Sequence, residues 1–212
     1  TSFSALILVP FCRHRLHFDI KRAYFKGKLK KMKQSSSRMQ GSLRVQVNRK
    51  RVLDDTFRKL RFCTADEMRK RINIVFTEEE GMDAGGLTRE WYTILAREIF
   101  DERIALFTSI GSSVTFQPYS SSYINPEHLD YFKFVGRLIG KALCDGQLLD
   151  AHFTRTFYKH MLGLPVSYHD LEAIEPDYYK SLLQILEHPL DVIGVDLTFS
   201  ADFNELGQTT TI

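Results

Sequence analysis

Apolar residues recur at helical spacing between Leu87 and Phe100, and this stretch organises the chain. The apolar positions are Leu87, Trp91, Ile94, Leu95, Ile99 and Phe100. This spacing predicts an amphipathic helix that buries one side. An acidic, glycine-rich turn precedes the helix, and its Gly85 and Gly86 permit a positive φ or a close backbone approach. We expect Asp83 to cap the first helical turn.

Shorter stretches show the two-residue period of half-buried strands. Apolar and polar residues alternate over 43–47 and again over 72–76. The ranges 105–110 and 114–117 flank a Gly-Ser-Ser turn and predict a hairpin. A further short strand is expected at 196–200, before a polar tail.

Between these strands and on both sides of them the pattern favours helices. Near the start, Phe18, Phe25, Leu29 and Met32 form one apolar stripe, and lysines occupy the remaining face. Residues 52–60 predict a short strand-and-helix unit, and Thr64 is a candidate cap for the next turn. Later helices are expected after Asn125 and Pro126, over 150–162, and from Pro176 onward. The prediction is a helix-rich α+β fold with small antiparallel strands and hairpins.

The helix after Pro126 carries three kinds of position. We expect its buried side to consist of Leu129, Phe132, Val135, Ile139 and Leu143. Gly136 and Gly140 would let another element approach closely. Lys133, Arg137 and Lys141 form a basic row that we expect to be solvated or paired with carboxylates.

Four motifs in fixed order point to one family. G-M-D-A-G-G-L-T-R-E-W-Y at 81–92 resembles the G-x-D-x-G-G-[LV]-x-R-E-W-[FY] signature in the N-terminal lobe of HECT-type ubiquitin-protein ligases. The segments 125–149, 153–163 and 170–186 resemble the H-L-x-Y-F-x-F-x-G-R, F-x-R-x-F-Y-K and D-[ML]-E-x-x-D-x-x-Y-Y-x-x-L patterns that follow it. The sequences of these motifs are most similar to those of the large plant members of the family. Signature residues with an expected structural role are Asp83, Gly85, Gly86, Arg89, Glu90, Trp91, Phe132, Gly136, Arg137, Phe157 and Tyr158.

The resemblance implies an enzyme that works by acyl transfer. HECT ligases accept ubiquitin from a conjugating enzyme onto a cysteine as a thioester and pass it to a substrate lysine. The family cysteine stands in a T-C-x-N context in a separate C-terminal lobe, and Cys12, Cys63 and Cys144 do not match it. We expect Cys144 to be buried and inert. In the WW-domain branch a tyrosine that helps to bind ubiquitin stands where this chain has Ala84, so that site is not expected.

The resemblance also divides the chain. Residues 1–17 are expected to flank the domain, and 18–212 to form the first part of a HECT N-lobe. The docking region for the conjugating enzyme and the catalytic C-lobe then lie outside this chain, which is expected to be inactive alone. The expected partners of the full domain are a ubiquitin-conjugating enzyme, ubiquitin and protein substrates.

The charge distribution keeps alternative functions open. The net charge of +3 is spread unevenly, because residues 1–62 hold 17 Lys and Arg against 3 Asp and Glu. Basic amphipathic helices bind nucleic acid, membranes or calmodulin, but we favour a solvated helix face packed on the acidic remainder. Three hypotheses therefore stand: part of an active ligase, a truncated interaction scaffold, or a basic module for nucleic acid or membrane. The motifs favour the first.

Other classes find little support in the residues. The histidines and cysteines lack zinc-site spacing, and the glycines at 85–86 match no phosphate-binding loop, so neither a metal nor a cofactor is expected. The longest apolar run, 5–11, is too short to cross a bilayer. Three widely spaced cysteines fit a reducing compartment and predict a cytoplasmic or nuclear location.

Overall fold

The computed structural model describes residues 16–35, 41–77, 79, 85–110, 115–194, 198–200, 202–205 and 208–211. The α-helices are α1 Phe18–Ser35, α2 Val52–Leu60, α3 Ala65–Arg69, α4 Gly86–Ile99, α5 His128–Asp145, α6 Arg155–Met161, α7 Pro176–Glu187 and α8 Leu190–Ile193. The strands are β1 Ser42–Val47, β2 Arg71–Phe76, β3 Phe107–Ile110, β4 Thr115–Pro118, β5 Asp202–Glu205 and β6 Gln208–Thr211. Short 3₁₀ turns occupy Glu102–Ile104, Ser122–Ile124 and Tyr168–Ala173. The predicted helix-rich α+β class is confirmed.

The described strands pair into three two-stranded sheets, and one of them differs from expectation. β3–β4 is the predicted antiparallel hairpin and β5–β6 is also antiparallel, but β1 and β2 run parallel. Leu43 faces Ile72 and Val47 faces Phe76 in this register. The parallel pairing is possible because α2 and α3 fill the connection, which is long enough for a crossover.

Two other local predictions are wrong. Residues 52–60 form one continuous helix with no strand, and they bury Val52, Leu53, Thr56, Phe57 and Leu60. The strand expected at 196–200 is absent from its described part, 198–200, and the tail instead forms the β5–β6 hairpin.

Local cap chemistry accounts for several helix starts. Thr64 caps α3 as predicted, and its side chain accepts from the Glu67 amide while the Glu67 carboxylate accepts from the Thr64 amide. Pro176 opens α7, as expected for the first helical position. α5 begins two residues after Pro126, at His128, although the Asn125 side chain accepts from the backbone of 127. α6 begins at Arg155 instead of 150, because Thr154 caps it there.

The chain divides into two compact units, of which the first comprises 1–93 and 133–149. Its core gathers apolar side chains from β1, β2, α2, α4 and α5. Their fully or nearly fully buried members include Val45, Val47, Val52, Phe57, Leu60, Ile72, Ile74, Trp91, Tyr92, Phe134 and Leu138. The rings of Phe57 and Phe134 meet edge to face with centroids 5.6 Å apart, an arrangement that aromatic pairs favour.

The second unit comprises 94–132 and 150–212, and an aromatic cluster forms its centre. Phe100 stacks on Phe116 at 4.5 Å and contacts Phe107 at 5.0 Å. Phe153 contacts Phe107 at 5.8 Å, and its flanking backbone bonds to β4, since the Phe116 amide donates to the carbonyl of 152. The end of α4, the β3–β4 hairpin and the segment before α6 therefore share one apolar core.

The buried side of α5 agrees with the prediction only in part. Val135 is buried as predicted, and Phe132 and Ile139 are half-buried. Leu129 and Leu143 are 71% and 52% exposed, and the buried residues are Phe134, Val135, Leu138, Lys141 and Ala142. Gly136 and Gly140 are exposed, and a Cβ at either would meet no described atom within 4 Å. The expectation of a close helix approach at these glycines is therefore wrong for the described residues.

Candidate functional site

The signature helix α4 starts at a glycine pair with an unusual backbone. Gly85 has φ +93°, a conformation that L side chains rarely adopt, and Gly86 is the first helical residue. The Gly85 carbonyl accepts from the Arg89 amide, which closes the first turn. Asp83, the expected cap, and Ala84 lie outside the described residues. The φ of Gly85 explains why the chain needs glycine there.

Trp91 anchors α4 to α2 through a buried hydrogen bond. Its indole Nε1 donates to the Thr56 hydroxyl at 3.0 Å, and both residues are fully buried. The indole N–H is a donor that must find a partner away from water. Sequence periodicity placed Trp91 in the core, but nothing in the sequence indicated Thr56.

Tyr92 lies beside Trp91 and is nearly as deeply buried. The centroids of the two rings are 4.7 Å apart. The Tyr92 hydroxyl has no hydrogen-bond partner among the described residues. Burial raises the pKa of Tyr92 far above its usual value, and the nearby Asp145 carboxylate raises it further. Tyr92 is therefore a neutral phenol at all physiological pH values.

Arg49, in the loop after β1, binds two carboxylates, that of Glu90 on α4 and that of Glu79 between β2 and α4. Its Nη1 donates to Glu90 Oε1 at 2.6 Å, Nη2 donates to Glu79 Oε2 at 3.0 Å, and Nε donates to Glu79 Oε1. The guanidinium also lies over the Phe76 ring, 4.2 Å from its centroid. These hydrogen bonds lower the pKa of Glu79 and of Glu90. Glu90 of the signature thus accepts from an arginine, and Arg89 is exposed on the same helix.

Arg137 of α5 binds backbone carbonyls instead of carboxylates. Its Nη1 donates to the carbonyls of Arg61 at 2.8 Å, Cys63 at 3.2 Å and Leu60 at 3.4 Å. These carbonyls belong to the end of α2 and the turn after it, where helical acceptors lack partners within the helix. The prediction of a solvated or carboxylate-paired arginine is wrong, because the nearest acceptors are the carbonyls that close α2.

Lys141, one turn further along α5, is buried and paired. Its Nζ donates to the Lys70 carbonyl at 2.6 Å and lies 3.0 Å from Asp145 Oδ2. Only Lys133 of the predicted basic row is an exposed side chain. A buried ammonium group needs such partners, since an unpaired buried charge carries a large desolvation cost.

The remaining signature residues belong to the aromatic cluster of the second unit. Phe132 meets Phe107 edge to face at 5.4 Å, and Phe157 contacts Phe153 at 4.9 Å. The Tyr158 hydroxyl accepts from the Phe153 amide at 3.4 Å. Their placement is compatible with the structural role that we expect for these residues.

The two described cysteines differ in environment. Cys63 is buried, its thiol donates to the Lys59 carbonyl at 3.3 Å, and burial raises its pKa. Both features oppose formation of a reactive thiolate. Cys144 is half-buried, so it is more accessible than expected. Cys12 lies outside the described residues.

Half-buried Cys144 lines a groove of about 530 Å³ between α1 and the end of α5. One wall of the groove is a face of α1, and the other is 143–148. Every side chain of α1 whose burial is described is half-buried or exposed. The lysines of α1 are largely solvated, as we favoured, but the helix lacks the buried apolar stripe that packing on the remainder would produce. The sequence indicated the amphipathic helix but not the groove.

Neither a metal site nor a membrane span is seen in the described ranges. No three His, Cys, Asp or Glu side chains converge there in a way that would hold a metal ion. Every helix in that part of the chain is too short or too polar to traverse a lipid bilayer.

Comparison with known proteins identifies the class. The residue pattern of the HECT-domain (ubiquitin-transferase) family matches residues 93–212, which is more than half of the chain. The chain belongs to this family.

Several relatives with similar sequences are named E3 ubiquitin-protein ligases. The chain is 50% identical over 204 residues to E3 ubiquitin-protein ligase UPL2 of Arabidopsis thaliana, which covers 96% of the chain and 5% of that protein. It is 45% identical over 202 residues to HUWE1 of Mus musculus, covering 95% of the chain and 4% of the relative. It is 46% identical over 195 residues to TOM1 of Saccharomyces cerevisiae, covering 91% of the chain and 6% of the relative. The chain therefore spans only about one twentieth of the length of these curated relatives.

Proposed function

We propose that this chain is the first part of the N-lobe of a HECT-type ubiquitin-protein transferase, which acts in protein ubiquitination and proteasomal degradation. The observation that carries the proposal is the family match over 93–212, together with 45–50% identity to named ubiquitin ligases along more than nine tenths of the chain. Residues 18–212 form this lobe part, and 1–17 flank it. The partners are a ubiquitin-conjugating enzyme, ubiquitin and protein substrates.

The reaction proposed for the parent protein is two successive acyl transfers. A ligase thiolate attacks the thioester that joins ubiquitin to the conjugating enzyme, and the enzyme's thiolate leaves. A substrate lysine amine then attacks the new thioester, forms the isopeptide bond and releases the ligase thiolate. We propose that the attacking cysteine lies outside this chain, in the family's T-C-x-N context, and that this chain supplies scaffold only.

Two structural observations support the scaffold role. The Cys63 thiol is buried, donates to a carbonyl and has a raised pKa, so it is a poor nucleophile. The signature residues Trp91, Glu90 and Arg137 all make hydrogen bonds that connect one structural element to another.

We propose a cytoplasmic or nuclear location, which the cysteine content supports.

A thioester assay tests the division of labour. The 212-residue chain is incubated with activating enzyme, a panel of conjugating enzymes, ubiquitin and ATP, and analysed on gels with and without thiol reductant. We expect no thiol-sensitive adduct on the chain. An adduct that disappears in Cys144→Ala would overturn the scaffold assignment.

Sequencing the native transcript past the codon for Ile212 tests the enzyme assignment itself. We expect the frame to continue to a Thr-Cys motif, and Cys→Ala there to abolish a thiol-sensitive adduct on the full protein. Cys63→Ala and Cys144→Ala in the full protein are the controls, and both retain the adduct. A frame that stops at Ile212 would leave an interaction scaffold as the function of this product.

A further inference from the structure

We propose that the groove between α1 and 143–148 is a docking site for an acidic amphipathic peptide segment of a partner protein. This inference goes beyond ubiquitin transfer and concerns a surface that the proposed reaction does not use. Three properties of the groove carry it: its shape, its charge and its uncovered apolar side chains.

The shape is that of a groove built on one helical face. The residues that α1 contributes are Arg22, Phe25, Lys26, Leu29, Lys30 and Lys33, spaced as i, i+3, i+4, i+7, i+8 and i+11. This spacing follows a single face along most of the helix. A concave site of about 530 Å³ accepts side chains of a peptide, whereas a bilayer presents a broad surface that cannot enter it.

The charge of the groove is strongly one-sided. Four of the α1 residues that line it are cationic, and Asp145 is the only carboxylate among the described residues that line it. That carboxylate is already 3.0 Å from Lys141 Nζ and 3.8 Å from Lys33 Nζ. The groove therefore holds cations in excess, and a partner with several carboxylates complements them.

The apolar side chains of the groove are left open to water. Phe25 is 46%, Leu143 52% and Leu148 93% exposed. Isolated helices are marginal in water, and helices in proteins owe most of their stability to burial of an apolar face. A partner that covers Phe25 and Leu148 would supply this burial, so its apolar residues should recur at helical spacing. Acidic residues between them would meet the lysines.

The binding test uses the full 212-residue chain and two synthetic helical peptides. Both peptides carry leucines at i, i+3, i+4 and i+7, with glutamates at the other positions in one and lysines in the second. Fluorescence anisotropy of the labelled glutamate peptide should show saturable binding, and the lysine peptide should bind at least about ten-fold more weakly. Equal binding of the two peptides, or no binding of either, would overturn the proposal.

Matched charge reversals locate the site. Lys26→Glu/Lys30→Glu changes the groove face, and Lys28→Glu/Lys31→Glu makes the same charge change on exposed positions of α1 that do not line the groove. We expect the first pair of substitutions to weaken binding of the glutamate peptide about ten-fold or more. The second pair should weaken its binding less than about three-fold. Equal losses would indicate diffuse attraction to a basic helix and would refute a groove.

Two further measurements separate local docking from other events. Leu148→Asp should weaken binding of the glutamate peptide, while Leu129→Asp, at another exposed leucine, should leave binding unchanged. Bound peptide should also slow alkylation of Cys144 in a Cys12→Ser background, because Cys144 lines the groove. Binding to anionic phosphatidylserine vesicles without peptide binding would replace the proposal by a membrane site. Self-association that hides Cys144 without peptide would replace it by a second copy of the chain.

Discussion

Removing the hydrogen bond between Trp91 and Thr56 tests whether the signature helix α4 has a structural role. Thr56→Val keeps the shape of the side chain but removes the acceptor of the buried indole N–H. An orphaned buried donor costs about 1–3 kcal/mol. The extra buried methyl returns up to about 0.8 kcal/mol. After this offset we expect the free energy of unfolding to fall by about 0.2–2 kcal/mol, against a usual total of about 5–15 kcal/mol.

A double-mutant cycle isolates the hydrogen bond from packing. In a Trp91→Phe background no indole donor remains, so Thr56→Val should there be neutral or stabilising. The expected coupling free energy is about 1–3 kcal/mol. Urea denaturation followed by far-UV circular dichroism measures all four variants, because this signal does not depend on the tryptophan. Thr93→Val, an exposed threonine on the same helix, is the control and should change stability by less than about 0.5 kcal/mol. A coupling below about 0.5 kcal/mol would refute the reasoning.

Three further predictions concern neighbouring contacts. Arg137→Met leaves the carbonyls at the end of α2 without their donor and should destabilise the chain by about 1–3 kcal/mol in urea denaturation, whereas exposed Lys133→Met should not; equal effects would contradict the role of the arginine. The folded-state pKa of Glu90 is lowered, so its stabilisation is full above the unfolded value of about 4.5 and is lost as pH falls through the folded value. Glu90→Gln should therefore be less stable than the original chain at neutral pH and equally stable in acid; a pH-independent difference would oppose this. In timed iodoacetamide labelling, Cys144 should react well before Cys63, whose burial and raised pKa protect it until the chain unfolds; equal rates would contradict the described burial.

Local patterns were enough to predict many elements of the fold. The alternation at 43–47 and 72–76, the helical period after Leu87, and Thr64 and Pro176 as helix starts are all confirmed. The resemblance to the HECT family rested on motifs that need no structure, and the family match confirms it. These features depend on residues that are close in the sequence, where spacing and cap chemistry decide the outcome.

Long-range pairing was beyond such patterns. Periodicity does not reveal strand direction, so the parallel β1–β2 pair became known only with the crossover formed by α2 and α3. The partners of Trp91 and Arg137 lie 35 and more than 70 positions away in the chain. The buried side of α5 was predicted only in part for the same reason, since its helix offers several apolar stripes and the packed neighbours select one.

The sequence by itself therefore determined the family and most of the element types. Only the tertiary structure decided which polar side chains fasten the signature helix, and that the basic face of α1 forms one wall of a groove. The physical reason is that burial and hydrogen bonding depend on which distant segments share a space, and that is a property of the folded chain.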